Sequence, residues 1–399
     1  MTGIEIIDLC RELASCSEEP GRTTRTFLST PMHDVHRILG DRMRALGMQI
    51  WVDAAGNLYG LFGDPGAASL MIASHLDTVP GAGAFDGILG VVMGIALAAT
   101  RPAIAIEVVG FSEEEGVRFG MPFIGSRALA GTLDSPALSR RDRNGVSVAE
   151  AIRSYGLDPK QIDAARISPN VIGYLEMHIE QGPVLDDARL PLAVVNCIVG
   201  QSRFSVTFEG QANHAGTTPM QLRQDALTAA AEWILKVEEV ANLEPGLVAT
   251  VGALGVSPNA GNVIPGDVRA SLDIRHSSDD TRQRCAAALL NAAHAIASRR
   301  RLSASDDLLL DQPTVPMDAG LCDLLAKAVA NAGLPVHRMA SGAGHDAMIL
   351  APLVPSTMLF LRSPGGISHH PDESVTAGDV DAALHAGRLF IAELERSHA

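Results

Sequence analysis

Helical and strand-like hydrophobic patterns alternate along the first part of the chain. Apolar residues recur at helical spacing over residues 33–47, and apolar and polar residues alternate over residues 49–62, which predicts a helix and then a hairpin. Two short, almost wholly apolar runs follow at residues 70–73 and 104–111, separated by a helical pattern that begins at Asp86. Strands that are apolar on both faces and alternate with helices indicate a mostly parallel sheet covered by helices. The sequence therefore predicts an α/β fold here.

The pattern changes after Gly200, where polar and apolar residues alternate along each strand, as in a sheet with one wet face. The predicted elements are strands at residues 202–209, 247–256, 268–275 and 302–310 and helices at residues 225–240 and 279–297. This β-α-β-β-α-β order is the ferredoxin-like arrangement. Buried patterns return at residue 316 and end in a helix at residues 377–396. We expect one discontinuous catalytic domain, residues 1–199 and 313–399, with residues 200–312 inserted as a lid.

Composition and charge exclude several classes of protein. With 47% hydrophobic residues among 399, the chain can bury a large core, which excludes a disordered or fibrous protein. A formal net charge of -15 argues against binding to nucleic acids or to anionic membrane surfaces. No apolar run reaches the roughly 20 residues that a membrane-spanning helix needs, and the first residues show no signal-peptide pattern. The five cysteines form no C-x-x-C pair, so we expect reduced thiols and a cytoplasmic protein.

Histidines and carboxylates concentrate in five short segments, each just after a predicted strand or at the start of a helix. The segments are SHLDTVP from Ser74, FDG from Phe85, SEEEG from Ser112, EMHIEQG from Glu176 and ISHHPDE from Ile367. Ligands of open α/β sheets bind beyond the carboxyl ends of the strands, so these side chains are expected to meet. Imidazoles and carboxylates form the mixed ligand set that Zn²⁺, Mn²⁺ and Co²⁺ accept. The sequence therefore predicts a metal site at this edge.

Spacing within the segments adds detail. His75 and Asp77 point the same way on an extended segment, so Asp77 can accept the second ring N–H of His75 and fix its tautomer. Asp86, at a predicted helix start, can bridge two cations. The three adjacent carboxylates at residues 113–115 repel one another unless cations or protons offset their charge.

Other catalytic motifs are missing from the sequence. The glycines at residues 81–83 do not continue into G-x-G-x-x-G, and no G-x-x-x-x-G-K-[ST] motif occurs. There is no G-x-S-x-G elbow and no cysteine in a recognisable nucleophile setting. Dinucleotide binding, P-loop chemistry and serine or cysteine catalysis are therefore disfavoured.

In order and spacing, the five segments resemble the dinuclear metal amidohydrolases of the M20 peptidase clan. HIEQGP at His178 resembles the branch that acts on N-carbamoyl compounds, which contains allantoate amidohydrolases, N-carbamoyl-L-amino-acid hydrolases and β-ureidopropionases. The resemblance extends to NHAGTTPM at Asn213, NVIPG at Asn262 and DIRH at Asp273. It implies a metallopeptidase-like catalytic domain, and an inserted ferredoxin-like lid through which two subunits form a homodimer.

The resemblance also implies a role for individual residues. One metal ion is assigned to His75 and His178, a second to Glu115 and His369, and Asp86 bridges them. Glu114 is implied as the general base, and Asp77 supports the site through the His75 ring. His370 is the alternative to His369, because the two are adjacent. The residues implied to contact the substrate are Gln181, His214, Asn262 and Arg275, with Arg275 on its carboxylate and His214 in either its own or the partner's site. His345 and Asp346, in SGAGHDA, are interpreted as supporting the site.

The sequence therefore predicts a metal-dependent amidohydrolase that cleaves a ureido C–N bond of a small carboxylate and releases ammonia and carbon dioxide. RTFLSTP from Arg25 and WVDAAGNLYG from Trp51 resemble the enzymes that act on allantoate, which makes allantoate the first candidate substrate. An N-carbamoyl-L-amino acid, or the substrate of a β-ureidopropionase, is the alternative. A dipeptidase of the same clan predicts an acid in place of His178, and a non-catalytic scaffold predicts the loss of Glu114 or a ligand. The choice among Zn²⁺, Mn²⁺ and Co²⁺ stays open.

Overall fold

The structure, a computed structural model, describes residues 1–398 and divides the chain into two compact units. The first unit comprises Met1–Asn196 and Pro316–Ala399, and the second comprises Cys197–Val315. Within the described residues, the structure contains no helix that is both long enough and apolar enough to span a membrane.

The strands are β1 Gln49–Val52, β2 Leu58–Phe62, β3 Ser69–His75, β4 Ala105–Phe111, β5 Val171–Ile179, β6 Leu192–Ile198, β7 Gly200–Glu209, β8 Asn213–His214, β9 Val248–Thr250, β10 Leu254–Ser257, β11 Val263–Ile264, β12 Asp267–His276, β13 Ser303–Gln312, β14 Val315–Pro316, β15 Arg338–Ser341 and β16 Ser356–Leu361. The helices are α1 Gly3–Ala14, α2 Thr30–Ala45, α3 Ile88–Ala98, α4 Ile124–Leu129, α5 Ser135–Ser139, α6 Val148–Ser154, α7 Val184–Ala188, α8 Ala226–Leu243, α9 Asp279–Arg299, α10 Ala319–Asn331, α11 Ala347–Leu350 and α12 Ala377–His398. Short 3₁₀ helices occupy Pro159–Ala164, Met220–Leu222 and Pro364–Gly366.

The sheet of the first unit has the order β1-β2-β4-β3-β5-β16-β6-β14, and β15 pairs with β6. Its four central strands, β4, β3, β5 and β16, run parallel, whereas β2 and β6 pair antiparallel to them. Every residue of β3, β4 and β16 is buried, as expected for strands covered on both faces. The predicted α/β fold with a mainly parallel central sheet is confirmed.

Helix α3 connects β3 to β4 and is buried along its whole length. It begins at Ile88, two residues later than the predicted start at Asp86, because Gly87 adopts a left-handed φ of 67° before it. A Cβ atom at Gly87 would lie 2.5 Å from the His75 ring, and one at Gly90 would lie 2.1 Å from the Met177 carbonyl oxygen. Only glycine permits this close approach. The approach sets Asp86 directly against His75.

The second unit has a sheet of order β10-β12-β7-β13, in which neighbouring strands are antiparallel, and β9 also pairs with β12. Helices α8 and α9 pack on it around a core that includes Phe208 and Trp233. The element order is the predicted β-α-β-β-α-β order, but residues 247–256 form two strands where the pattern predicts one. The physical reason is a bulge: the three residues 251–253 between β9 and β10 face only residues 271–272 of β12. The Ser271 hydroxyl accepts the Ala253 N–H there at 2.9 Å.

Glu107, in the middle of β4, is a carboxylate buried in the sheet of the first unit. It is 7% exposed, and burial raises its pKa to about 7. A raised pKa means that folding favours the protonated form of Glu107. The stability that this form contributes is complete below the ordinary pKa near 4.5 and is lost as the pH rises through about 7. Glu107→Gln is always neutral and is expected to exceed the wild type in free energy of unfolding at pH 8, by at most about 3 kcal/mol.

Urea unfolding of both proteins in a chelator, at pH 4.5 and at pH 8, checks this prediction. The advantage of Glu107→Gln should shrink at pH 4.5, where both side chains are uncharged in the folded protein. An equal difference at the two pH values would contradict it.

Candidate metal centre

Two imidazoles from neighbouring parallel strands face each other at the carboxyl edge of the first unit's sheet. His75 ends β3 and His178 lies near the end of β5, and their Nε2 atoms are 3.3 Å apart. Asp86 Oδ1 lies 3.3 Å from Nε2 of His178 and 3.8 Å from Nε2 of His75. All three side chains are buried. We call the space between these three donor atoms the inner position.

Backbone carbonyls orient both rings. Nδ1 of His75 donates to the Asp77 carbonyl oxygen at 3.0 Å, and Nδ1 of His178 donates to the Ile179 carbonyl oxygen at 2.9 Å. With Nδ1 carrying the proton, each neutral ring directs an Nε2 lone pair at the other ring and at the Asp86 carboxylate. Acceptors that converge in this way require a cation or an added proton between them. The donor set of the inner position therefore fits a divalent cation.

A second group of donors shares Asp86. Nε2 of His369 lies 3.1 Å from Asp86 Oδ2 and 3.3 Å from Glu115 Oε1. We call this group the outer position, because the His369 side chain is 47% exposed while His75 is 2% exposed. Of the two adjacent histidines, His369 lies at the cluster, whereas His370 contacts Asp372. The structure thus brings together the five residues predicted as metal ligands.

The charges of these groups depend on one another. Burial lowers the pKa of His178 to about 4, although the Asp86 carboxylate opposes this shift. Burial also acts to lower the pKa of His75, but the surrounding carboxylates, with Asp77 foremost, outweigh it and raise that pKa well above its ordinary value. Hydrogen bonds from Nε2 of His369 to Asp86 and Glu115 raise the pKa of His369 to about 10. The carboxylates at this edge therefore attract positive charge.

Asp77 differs in detail from the prediction. The Nδ1 of His75 donates to the backbone carbonyl of Asp77, and the nearer carboxylate oxygen is 3.4 Å away. The carboxylate accepts the backbone N–H groups of Glu114 at 2.9 Å and Glu115 at 3.2 Å. We call the segment after β4 that carries the glutamates at residues 113–115 the acidic loop. Asp77 therefore fixes the acidic loop as well as the His75 ring.

The acidic loop keeps its carboxylates close to the inner position. One side-chain atom each of His75, Glu114 and Glu115 lies within 4.8 Å of the others. Burial raises the pKa of Glu114 well above its ordinary value, and the nearby carboxylates of Glu115 and Asp77 add to the rise. Burial likewise raises the pKa of Glu113 and of Glu115. This agrees with the expectation that three adjacent carboxylates are costly without compensating charge.

Gln181 contacts the cluster through its side-chain amide. Nε2 donates to the two Asp86 carboxylate oxygens at 3.1 and 3.2 Å and lies 3.3 Å from Nε2 of His369. Gln181 and His369 both have left-handed backbones, with φ of 59° and 55°. Residues other than glycine persist in this region only where the surrounding structure holds them, and such residues concentrate at functional sites.

The remaining predicted residues lie in the second unit. His214 and Asn262 come together because β8 pairs with β11, and the Ala215 N–H donates to the Asn262 carbonyl oxygen at 3.0 Å. Arg275 lies near the far end of β12, about 26 Å of extended strand from Asp267. Its Nε and Nη2 donate to Asp273 at 2.8 and 3.1 Å. The structure therefore unites His214 with Asn262 but not with Arg275.

Several supporting residues were missed from the sequence. The buried Asn57 amide accepts the Ser112 N–H and donates to the Gly125 carbonyl, which anchors the acidic loop to the hairpin. The buried Arg25 guanidinium donates to the carbonyl oxygens of Leu13, Cys16 and Leu76, the last of which directly follows the candidate ligand His75. Glu373 accepts backbone N–H groups beside Asp86. Contacts of side chains with distant backbone leave no mark in local sequence patterns.

His345 and Asp346 lie behind the cluster. The His345 ring packs against the His178 ring with centroids 4.5 Å apart, and its Nε2 lies 3.0 Å from Ser341 Oγ. Asp346 accepts the Ser126 hydroxyl at 2.5 Å, and the Ala347 N–H donates to Glu176 at 2.8 Å. These buried polar contacts hold in place the segment that packs behind the His178 ring.

The chain is similar to known proteins over most of its length. Residues 71–394 match the family model described as peptidase family M20/M25/M40. The chain is 38% identical over 427 residues to a probable allantoate deiminase of Oryza sativa subsp. japonica, which covers 94% of this chain and 84% of that protein. It is 39% identical over 378 residues to an N-carbamoyl-L-amino acid amidohydrolase of Geobacillus stearothermophilus, with 92% of each chain covered. The crystal structure of an amidase of the hydantoinase/carbamoylase family from Burkholderia multivorans has a TM-score of 0.92 and 30% identity, and covers 98% of this chain and 97% of that one.

Proposed function

The chain belongs to peptidase family M20/M25/M40, and from this premise we propose that it hydrolyses the ureido C–N bond of a small carboxylate, with allantoate as the first candidate substrate. The observation that carries the proposal is the convergence of two imidazoles, a shared carboxylate and a further Glu–His pair beside Glu114. The resemblance inferred from the five segments is confirmed by the family match.

In this proposal His75, Asp86 and His178 hold one cation, and Asp86, Glu115 and His369 hold a second. Zn²⁺, Mn²⁺ and Co²⁺ all accept this mixed nitrogen and oxygen set. When bound, such cations supply Lewis acidity, which polarises a carbonyl oxygen and lowers the pKa of water.

The residues of the chain supply the proton transfers. Glu114 accepts a proton from the attacking water, whose oxygen bonds to the ureido carbon. It then donates this proton to the nitrogen that leaves the ureido carbon, which breaks the first C–N bond and forms an amine and carbamic acid. The carbamic acid breaks its remaining C–N bond and yields ammonia and carbon dioxide. Asp77 holds the backbone of Glu114, and Gln181 is placed beside Asp86 to donate to the ureido group.

Residues of the second unit complete the proposed substrate site. Arg275 binds the substrate carboxylate through its planar guanidinium. Strand β12 separates Arg275 from the β8–β11 pair, at which His214 and Asn262 lie. This length of strand far exceeds the length of a small ureido acid. We therefore assign His214 and Asn262 to the active site of the partner in a homodimer that forms through this unit, which acts as a lid. The exposed Leu308 and Leu309 on the edge strand β13 support such an interface. A monomer in sedimentation equilibrium would contradict it.

A cytoplasmic location is part of the proposal. None of the five cysteines forms a disulfide within the described residues, which suits a reducing compartment. Fractionation of cells that express the chain from its own gene tests this location.

The alternative substrate is an N-carbamoyl-L-amino acid. The chain is 38% identical to the probable allantoate deiminase and 39% identical to the N-carbamoyl-L-amino acid amidohydrolase, so sequence identity does not decide between the two substrates. The segments that favour allantoate contribute structural residues: the Arg25 side chain binds backbone carbonyls, and Trp51 stacks on Tyr59. A side-by-side assay must therefore decide.

The deciding assay measures ammonia release by protein reconstituted with Mn²⁺, with allantoate and an N-carbamoyl-L-amino acid in parallel. We expect chelator-sensitive release from at least one substrate, with allantoate the faster. Faster release from the carbamoyl amino acid would favour the alternative. No release from either by protein that demonstrably binds metal would contradict ureido hydrolysis.

A further inference from the structure

Glu373 is a buried carboxylate, 4% exposed, that holds two segments of the first unit together. Oε1 accepts the backbone N–H groups of Phe85 and Asp86, each at 3.0 Å. Oε2 accepts the hydroxyl of Ser368 at 3.2 Å. These contacts join residues 287 positions apart in the sequence.

Both joined segments carry a donor of the outer position. Asp86 contributes Oδ2, and His369 follows Ser368 directly. The Glu373 N–H also donates to the His370 carbonyl oxygen at 3.0 Å, which closes the loop on which His369 lies. One carboxylate therefore binds both segments that carry donors of the outer position.

The chain is built to admit this carboxylate. A Cβ atom at Gly83 would lie 2.4 Å from the Glu373 Cβ and 2.6 Å from its Oε1, so any larger residue at position 83 would collide with it. The inner position is supported differently, because His75 and His178 lie on the central strands β3 and β5. His369 lies on a loop and has a left-handed φ of 55°. It depends on its loop contacts for its place.

We propose that Glu373 is a positioning residue for the outer position: it fixes His369 against Asp86, and its loss weakens the cation bound there while the inner cation stays. This inference rests on the proposed metal centre. It concerns geometry and not charge, because a glutamine side chain can accept the same two N–H groups through its single carbonyl oxygen.

The test is a titration of chelator-stripped protein with Co²⁺ alone, followed by calorimetry and by the visible absorption of Co²⁺. The wild type is expected to bind two equivalents. In Glu373→Ala the tighter equivalent should keep its affinity and spectrum, and the weaker one should lose about 10- to 100-fold in affinity, the range for residues that orient metal ligands. Glu373→Gln should restore the second affinity to within a few-fold of the wild type.

Glu395 provides the matched control. Its Oε1 also accepts two consecutive backbone N–H groups, those of Ala103 and Ile104 at 2.6 and 3.0 Å, but before the start of β4 and so away from the site at the strand ends. Glu395→Ala should bind both equivalents as the wild type does. If Glu373→Ala does not fold, Glu373→Asp gives the same test, because its shorter side chain cannot reach both segments.

The outcomes separate this inference from the proposed function. Two unchanged affinities in folded Glu373→Ala would overturn the role of Glu373 and leave the metal centre intact. Equal loss of both equivalents would show a general structural role and also overturn it. A wild type that binds no Co²⁺ would overturn the metal centre and the inference together.

Discussion

Glu114→Gln is expected to lower kcat by about 10²- to 10⁴-fold, the usual contribution of a general base, while cation binding persists. Glutamine has nearly the same shape as glutamate but cannot take a proton from water. The main-chain contacts that hold the residue are unaffected, because Asp77 binds the backbone N–H of Glu114 and not its side chain. The loss should therefore appear in kcat, with little change in KM or metal content.

Glu107→Gln is the matched control for this measurement. It makes the same chemical change at a buried position of β4, four residues before that strand ends at Phe111. It should retain most of the activity. A folded, metal-loaded Glu114→Gln enzyme with kcat within tenfold of the wild type would remove Glu114 as the base.

The site could be predicted because parallel strands bring their carboxyl ends to one edge. His75 follows the apolar run at residues 70–73, which predicts a buried strand, and pairing of β3 with β5 sets its ring against the ring of His178. Position in the motif favours His369 over the adjacent His370, but the sequence alone leaves His370 as an alternative. The left-handed backbone at His369 directs that ring to Asp86.

Other features could not be predicted because they depend on contacts across the fold. The hairpin residues 54–57 were recognisable as a turn, but nothing local indicates that Asn57 anchors the loop after β4. Asp77 accepts the His75 ring N–H, as predicted, but through its backbone carbonyl oxygen and not through its carboxylate. Side-chain direction on an extended segment does not show that the carbonyl oxygen lies nearer. The bulge that divides β9 from β10 likewise arises from pairing with β12.

Asp86→Ala is expected to abolish the stabilisation that added metal gives the folded protein. A cation that binds only the folded chain stabilises it by about 2.7 kcal/mol at 100 times its dissociation constant. For a chain of 399 residues that corresponds to a rise in Tm of roughly 3 °C. Asp86 places one oxygen against His178 and the other against His369, so its removal affects both positions at once.

The quantity to compare is the Tm in Mn²⁺ minus the Tm in chelator, because Asp86 also pairs with histidines in the metal-free protein and its loss lowers both temperatures. Asp372→Ala is the matched control: this carboxylate lies in the same segment as His369, but its side chain is 76% exposed and contacts His370. The control should keep the wild-type difference, while Asp86→Ala should show almost none. An undiminished difference in Asp86→Ala would mean that Mn²⁺ binds elsewhere, since removal of a ligand shared by both positions weakens binding at both.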